Sequence, residues 1–455
     1  MVKKYLIFPV LALLLLACKT ETIQVLPSAE QVAYQQMEMV GFIHFTVNTF
    51  TDKEWGYGDE DPAIFNPTQL DAEQWVKAAK AGGLKQLILT AKHHDGFCLW
   101  PSTYTEHSVK NSPFRDGQGD LVQEFVDACR KHGLKVGLYL SPWDRNHKDY
   151  GNPEYITYYR NQLRELLTNY GEINEIWFDG ANGGDGYYGG ANEIRRIDRE
   201  TYYDWPTTIA LVKELQPGIK IFSDAGPDIR WVGNEHGHAG ETFWSVIDNE
   251  KLVIGASDSK YLNRGDPDGN SWIIGQCDVS IRPGWFYHAS EDSLVKTPEQ
   301  LMEIYYKSVG RNGVLLLNLP PDRRGLIHET DVANLEGFKA NIDAVFAEDL
   351  AEGASLLRQK SKDNLVEIIV ELGGPKRFDH IVLGETIEKG QRISCFRVEA
   401  ETGEGEWTKI AEATTIGYKR ILQVEPVTTS RLRVVIEASK NPPLISEVGL
   451  YLSGN

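Results

Sequence analysis

Cysteine is scarce and never clustered: five residues in a chain of 455. Cys98, Cys129, Cys277 and Cys395 are far apart, with no CxxC pair and no zinc-type spacing. This excludes a disulfide framework and predicts mostly buried thiols. Positive charge is also in deficit, with 47 Lys and Arg against 65 Asp and Glu, a net charge of −18. So acidic a chain is a poor partner for nucleic acid. Internal repeats and low-complexity stretches are absent. The apolar run from Tyr5 to Ala17 is too short to span a bilayer with ease.

That run follows Met1-Val2-Lys3-Lys4 and ends at Cys18, as a secretory leader does. Leu15-Leu16-Ala17-Cys18 resembles a bacterial lipobox, which implies cleavage after residue 17 and lipidation of Cys18. An ordinary signal peptide or an N-terminal anchor is the alternative. Losing residues 1–17 removes two lysines and no acid, leaving a net charge of −20. The expectation is an exported bacterial lipoprotein, anchored to the outer membrane by lipid alone, with residues 18–37 as a tether.

From residue 38 to 346, apolar strands alternate with helical patterns. Strands are predicted at Met39–Thr46, Leu84–Thr90, Leu134–Leu140, up to Asp179, Ile219–Asp224, Trp272–Ser280 and Gly313–Leu319. Helices are predicted at Asp71–Ala81, Asp120–His132, Pro153–Tyr170, Tyr202–Leu215, Pro298–Gly310 and Asp331–Phe346. This alternation favours a parallel (β/α)8-like, TIM-type barrel. The stretch between Ala225 and Ser271 is loop-rich, so one or two barrel helices are expected to be missing there. From residue 347 to 455 the pattern changes to short alternating strands separated by turns, a β-sandwich. It resembles the discoidin-like, galactose-binding-type sandwich appended to many glycosidases.

The stretch that organises the chain is Ile176-Trp177-Phe178-Asp179-Gly180, an apolar strand ending at a carboxylate. In a parallel barrel a polar residue at a strand's C-terminal end faces the active-site mouth. A carboxylate beside Trp and Phe is costly without partners or a task; the plain alternative is an Asp that caps the next turn. His44 ends the first strand and Lys92-His93-His94-Asp95-Gly96 follows the second; Tyr139 and Trp143 flank the end of the third. The histidines, with Asp179, could ligate a metal. Neutral imidazoles also suit sugar hydroxyls as donors and acceptors. A glycosidase needs a second carboxylate. The candidates after Asp224 are Asp228, Glu235, Glu241, Asp248 and Asp258, and spacing does not choose among them. Glu235, in Trp231-Val232-Gly233-Asn234-Glu235-His236-Gly237, has the glycines of an ordered loop entering a cleft. Eleven Trp and 20 Tyr fit a sugar binder, though weakly.

Taken together and in order, Gly41-Phe42-Ile43-His44-Phe45, Glu54-Trp55, Thr90 to Phe97, Trp177 to Gly180 and Leu316 to Gly325 resemble the α-L-fucosidases of glycoside hydrolase family 29. The resemblance covers roughly residues 38 to 345. It implies a retaining exo-glycosidase that needs no metal or cofactor, acting on fucosylated oligosaccharides or glycoconjugates. Position by position, Asp179 matches the nucleophile, and His44, Glu54, Trp55, His93, His94, Tyr139 and Trp285 match positions that hold the fucose. The acid/base varies within the family. The Gly-Asn-Glu235-His-Gly form resembles the branch acting on α-1,3 and α-1,4 fucose in Lewis-type glycans, which implies Glu235, with Glu241 as the alternative. A broad-specificity α-L-fucosidase and a catalytically inactive, lipid-anchored glycan-binding protein are the other readings.

Overall fold

The computed structural model describes residues 25–360 and 365–454. Eight parallel strands close into a barrel: β1 (Met39–Ile43), β2 (Gln86–Lys92), β3 (Lys135–Leu140), β4 (Glu175–Trp177), β5 (Lys220–Ser223), β6 (Ile229–Trp231), β7 (Ile274–Ser280) and β8 (Val314–Asn318). Each strand pairs with its neighbours in chain order, and β8 closes on β1 with Val40 opposite Leu316.

Alternation along the strands divides the apolar residues between two cores. Val40, Phe42, Ile88, Tyr139, Trp177, Phe222 and Leu316 fill the barrel interior. Ile43, Leu87, Leu89, Leu138, Ile176 and Phe178 face outward and pack with residues of the surrounding helices. Those helices are Ala72–Ala81, Leu121–His132, Pro153–Asn169, Trp205–Leu215, Pro298–Lys307 and Glu329–Val345. Their ends follow local chemistry. Asp71 and Asp120 cap N-termini through their carboxylates, and Gly133 ends its helix at φ 76°.

Two departures from regular (β/α) alternation lie where the sequence is loop-rich. Strand β6, which the sequence pattern did not reveal, follows β5 with no intervening helix. Asp228 secures this tight connection, accepting from the Ile221 amide at 2.9 Å and from Lys213 Nζ at 2.7 Å. Between β6 and β7 the chain makes a long excursion containing the short helix Ser259–Arg264.

Residues 29–35, read from sequence as the end of a tether, form a helix with a Ser28 capping box. Tyr34 is buried, and its hydroxyl donates to Glu175 Oε2 at 2.7 Å inside the barrel. The helix buries apolar residues that a solvated tether would expose, which is why it docks.

After the last barrel helix come six antiparallel strands: β9 (Ser355–Lys360), β10 (Val366–Glu385), β11 (Ile393–Gly403), β12 (Glu406–Ala413), β13 (Arg420–Ser439) and β14 (Ile445–Tyr451). The register of β10 on β13 shifts between Glu371 and Lys376 and again between Phe378 and His380. Such irregularities bend strands. They allow the sheet to enclose a core of Val370, Phe378, Ile381, Leu383, Phe396, Val398, Leu432 and Val434. The four cysteines among the described residues are unpaired, and all but Cys395 are buried.

Candidate active site

One pocket of about 280 Å³ opens among the C-terminal ends of the barrel strands. Its lining includes His44, Glu54, Trp55, His93, His94, Asp179, Glu235 and Trp285, residues that are widely separated in sequence. Tyr139 lies beside this set, behind the carboxylate.

Glu175, Trp177 and Asp179 occupy alternate positions, so all three point inward. Asp179 Oδ1 accepts the Ala181 amide at 2.7 Å, and Oδ2 accepts the Tyr139 hydroxyl at 3.0 Å. Burial raises the carboxyl's pKa, and these two donors oppose that rise. Burial pushes the Tyr139 phenol well up, so it stays a donor. Gly180 is required next: a Cβ there would fall 1.9 Å from Asp224 Oδ2.

The three histidines are buried, and burial holds His44 and His94 down to about 3 and His93 well below the ordinary imidazole value. They are neutral, and their neighbours fix two tautomers. Asn318 donates its amide to Ser280 Oγ at 2.9 Å and to the Trp285 carbonyl at 2.8 Å, so its Oδ1 accepts from His44 Nδ1 at 2.8 Å. Ser141 donates to the Trp143 carbonyl at 2.6 Å and therefore accepts from His94 Nδ1 at 2.7 Å. In both rings Nε2 is left with a lone pair. His94 Nε2 stands 3.9 Å from Asp179 Oδ2, too far for a hydrogen bond. His93 Nδ1 is buried without a partner. Among the described residues no group of three or more His, Cys, Asp or Glu side chains is arranged to hold a metal.

Glu54 fixes the loop after β7. It accepts the Trp285 amide at 2.8 Å and the Phe286 amide at 3.1 Å, and His288 Nε2 lies 2.7 Å from its Oε1. Trp285 Nε1 in turn donates to Glu235 Oε2 at 3.0 Å. Trp55 is 52% exposed at the mouth and meets His94 edge to face.

Glu235 sits on a knot just past β6. Asn234 Oδ1 accepts the His236 and His238 amides, and the Gly237 amide donates to the Asp278 carbonyl at 3.1 Å. Gly233 has φ 78°, and a Cβ there would fall 2.2 Å from the Ser259 carbonyl oxygen. Glu241 is elsewhere: its carboxylate is paired with Arg311 and Arg420, and it does not line the pocket.

The structure adds lining residues that the sequence had not put forward as site residues: Phe42, Trp177, Asp224, Trp231 and Asp278. Asp224 accepts the Gly255 amide at 3.0 Å, and burial, then the charge of Asp179, pushes it up to about 7. Burial, with Glu235 close by, holds the Asp278 carboxyl well above the usual range. Asp224 carried a signal, because Ile219 to Asp224 is another apolar strand ending in a carboxylate.

A family model for α-L-fucosidase matches residues 22–340. Alpha-L-fucosidase 1 of Arabidopsis thaliana is 45% identical over 94% of this chain and 87% of its own length. A solved glycoside hydrolase 29 member from a rumen bacterium superposes with a TM-score of 0.89 at 49% identity, covering 95% of this chain and 78% of the other. A Ruminococcus gnavus family 29 fucosidase in complex with fucose gives 0.83 at 34% identity, covering 95% of both chains.

One expectation is corrected. The curated relatives matched over nearly the whole chain are plant α-L-fucosidases, so the localisation as a bacterial lipoprotein anchored to the outer membrane is withdrawn. The expected leader, residues 1–17, and Cys18 lie outside the described residues, and a short apolar run before one cysteine is too common a pattern to fix a location. No helix among the described residues is long and apolar enough to cross a membrane. With barrel, pocket and relatives in agreement, the chain belongs to the α-L-fucosidase family, glycoside hydrolase family 29.

Proposed function

We propose that the protein is a retaining exo-α-L-fucosidase in which Asp179 is the nucleophile and Glu235 the acid/base, within a catalytic barrel of residues 38–346. The observation that carries this reading is that both carboxyl groups line one pocket, each held by an aromatic donor: Tyr139 on Asp179 and Trp285 on Glu235. In the first step Asp179 attacks the anomeric carbon, the glycosidic bond breaks, and the leaving oxygen takes the Glu235 proton. In the second, water gives its proton to Glu235, attacks the same carbon and displaces Asp179. The Nε2 lone pairs of His44 and His94 accept from sugar hydroxyls, with His93 beside them, and Trp285 packs on the fucose methyl group. Glu54 holds Trp285 in place and Trp55 flanks the mouth.

The substrates are terminal α-1,3 and α-1,4 fucose in Lewis-type branched glycans. This finer reading rests on the Trp231 to Glu235 stretch and on the long β6–β7 excursion, which can line subsites beyond the fucose. Residues 347–455 form a discoidin-like sandwich that braces the barrel.

Asp179→Ala tests the nucleophile. Turnover should fall by several orders of magnitude, and azide should restore part of it by forming β-fucosyl azide. A folded variant with near-normal turnover, or a wild-type reaction whose first product by NMR is β-fucose, refutes the double displacement.

A further inference from the structure

The backbone that follows Glu235 is fastened from both domains. On the barrel side, the Ala239 amide donates to the Lys307 carbonyl at 2.8 Å, and Arg311 donates to the Ala239 carbonyl at 3.0 Å. From residue 241 onward the sandwich takes over. Arg420 donates to the Glu241 carbonyl at 2.9 Å and to its Oε2 at 2.6 Å. Thr414 Oγ1 donates to the same carbonyl at 2.8 Å and accepts from Thr242 Oγ1 at 2.9 Å. Thr415 Oγ1 accepts the Phe243 amide at 2.9 Å. Gln391 accepts the Ser245 amide and donates to the Phe243 carbonyl, both at 2.9 Å. Gln391, Thr415, Arg420 and Ser245 are buried.

The clamp is itself organised. Buried Glu385 accepts the amides of Arg392 and Ile393, next to Gln391, at 2.8 and 3.0 Å, and that of Gly417, next to the Thr415 turn, at 2.8 Å. One carboxyl group thus joins the two sandwich segments that grip the barrel loop. Glu235 lies just upstream of the gripped run, in the knot made by Asn234 and Gly237. A shift of the run by an ångström would be transmitted to the Glu235 carboxyl, because no free linker lies between them.

We propose that the β-sandwich is a positioning element for the acid/base: Arg420, Thr415 and Gln391 hold residues 241–245 so that Glu235 meets the leaving oxygen. This rests on the acid/base reading of Glu235. Misplacing a catalytic group by about 1 Å costs on the order of a hundredfold. The loss should fall on substrates that need a proton and spare those that do not.

The test uses the full chain with Arg420→Met, Thr415→Val and the double variant, against Glu235→Gln. Each is assayed on a fucosylated trisaccharide and on α-fucosyl fluoride, whose leaving group needs no proton. For Arg420→Met, kcat/KM on the trisaccharide should fall about ten- to a hundredfold and that on the fluoride less than about twofold. Arg420→Lys should recover part of the loss. Thr415→Val, nearly isosteric, keeps the test sound should Arg420→Met fold poorly. Equal losses on both substrates, or none on either, while Glu235→Gln separates them, would overturn the positioning role. If Glu235→Gln itself fails to separate them, the acid/base assignment falls, and this inference with it.

Discussion

Tyr139→Phe isolates the bond on which the charge of Asp179, the proposed nucleophile, depends. The phenol donates to Asp179 Oδ2 at 3.0 Å from a fully buried position. The Phe ring keeps the packing against Trp177, whose centroid is 5.3 Å away, and against Phe42 at 5.7 Å. What disappears is one hydrogen bond to a carboxylate, worth about 1.5–3 kcal/mol. It stabilises only the ionised form, so its loss raises the Asp179 pKa by about 1–2 units. Burial already pushes that pKa upward, so the change adds to an existing strain. Below its pKa, Asp179 is protonated and could not act as the proposed nucleophile. The acid limb of kcat/KM against pH should therefore move about 1–2 pH units towards neutrality. On the plateau the change should be below about tenfold, because Asp179 loses negative charge in the transition state and needs the donor less there. The assay is the pH profile on α-fucosyl fluoride, where proton donation does not obscure the limb. A folded variant with its acid limb unmoved would show that the bond does not set the ionisation of Asp179.

Glu175→Gln probes the barrel interior. Burial raises Glu175 to about 7, above the ordinary glutamate value of about 4.5, so its stabilising contribution is present at low pH and lost as pH rises through 7. Relative to the Gln variant, the wild type should lose about 2 kcal/mol between pH 5.5 and 8.5; denaturation midpoints that move in parallel would contradict it. For linkage preference, kcat/KM on Lewis x trisaccharide should exceed that on 2′-fucosyllactose and on a nitrophenyl fucoside by at least about tenfold. Equal or better rates on the latter two would mark a broad-specificity enzyme.

Most barrel strands were legible because burial on both faces makes them continuous apolar runs. Strand β6 was not: Ile229-Arg230-Trp231 is only three residues long and follows Gly226-Pro227, which reads as the end of structure. The sandwich misled in a related way. Gly373-Gly374-Pro375 and Glu425-Pro426 read as turns between short strands, where the structure runs one long strand through each, with shifted register. Ser355–Lys360 is exposed at every position and has no alternation to detect. Within the site, polar residues at strand ends could be anticipated from the pattern. Glu235 and Glu241 could not be separated, because what distinguishes them is Arg420, far along the chain.

Strand β4 shows how one element carries two acids with different duties. Glu175 lies at the closed end of the barrel. Tyr34 donates to it at 2.7 Å, Gln86 at 2.5 Å and Gln276 at 3.1 Å. Despite these donors, desolvation dominates and the group is readily protonated at neutral pH. Four residues on, Asp179 has fewer donors, yet its side chain is 24% exposed to the pocket. Water there lowers the cost of charge, and the Tyr139 and Ala181 donors favour the anion. Trp177 separates the two acids, its indole nitrogen donating to Gln276 Oε1 at 2.9 Å and its face stacked on Phe222 at 3.9 Å. An apolar slab between two carboxyls keeps their environments distinct, and distinct environments set the ionisation of a core acid apart from that of Asp179, the proposed nucleophile. Since Ile176 and Phe178 pack outward with residues of the helical shell, any change that slips this strand by one residue would exchange the two faces and lose both acids at once.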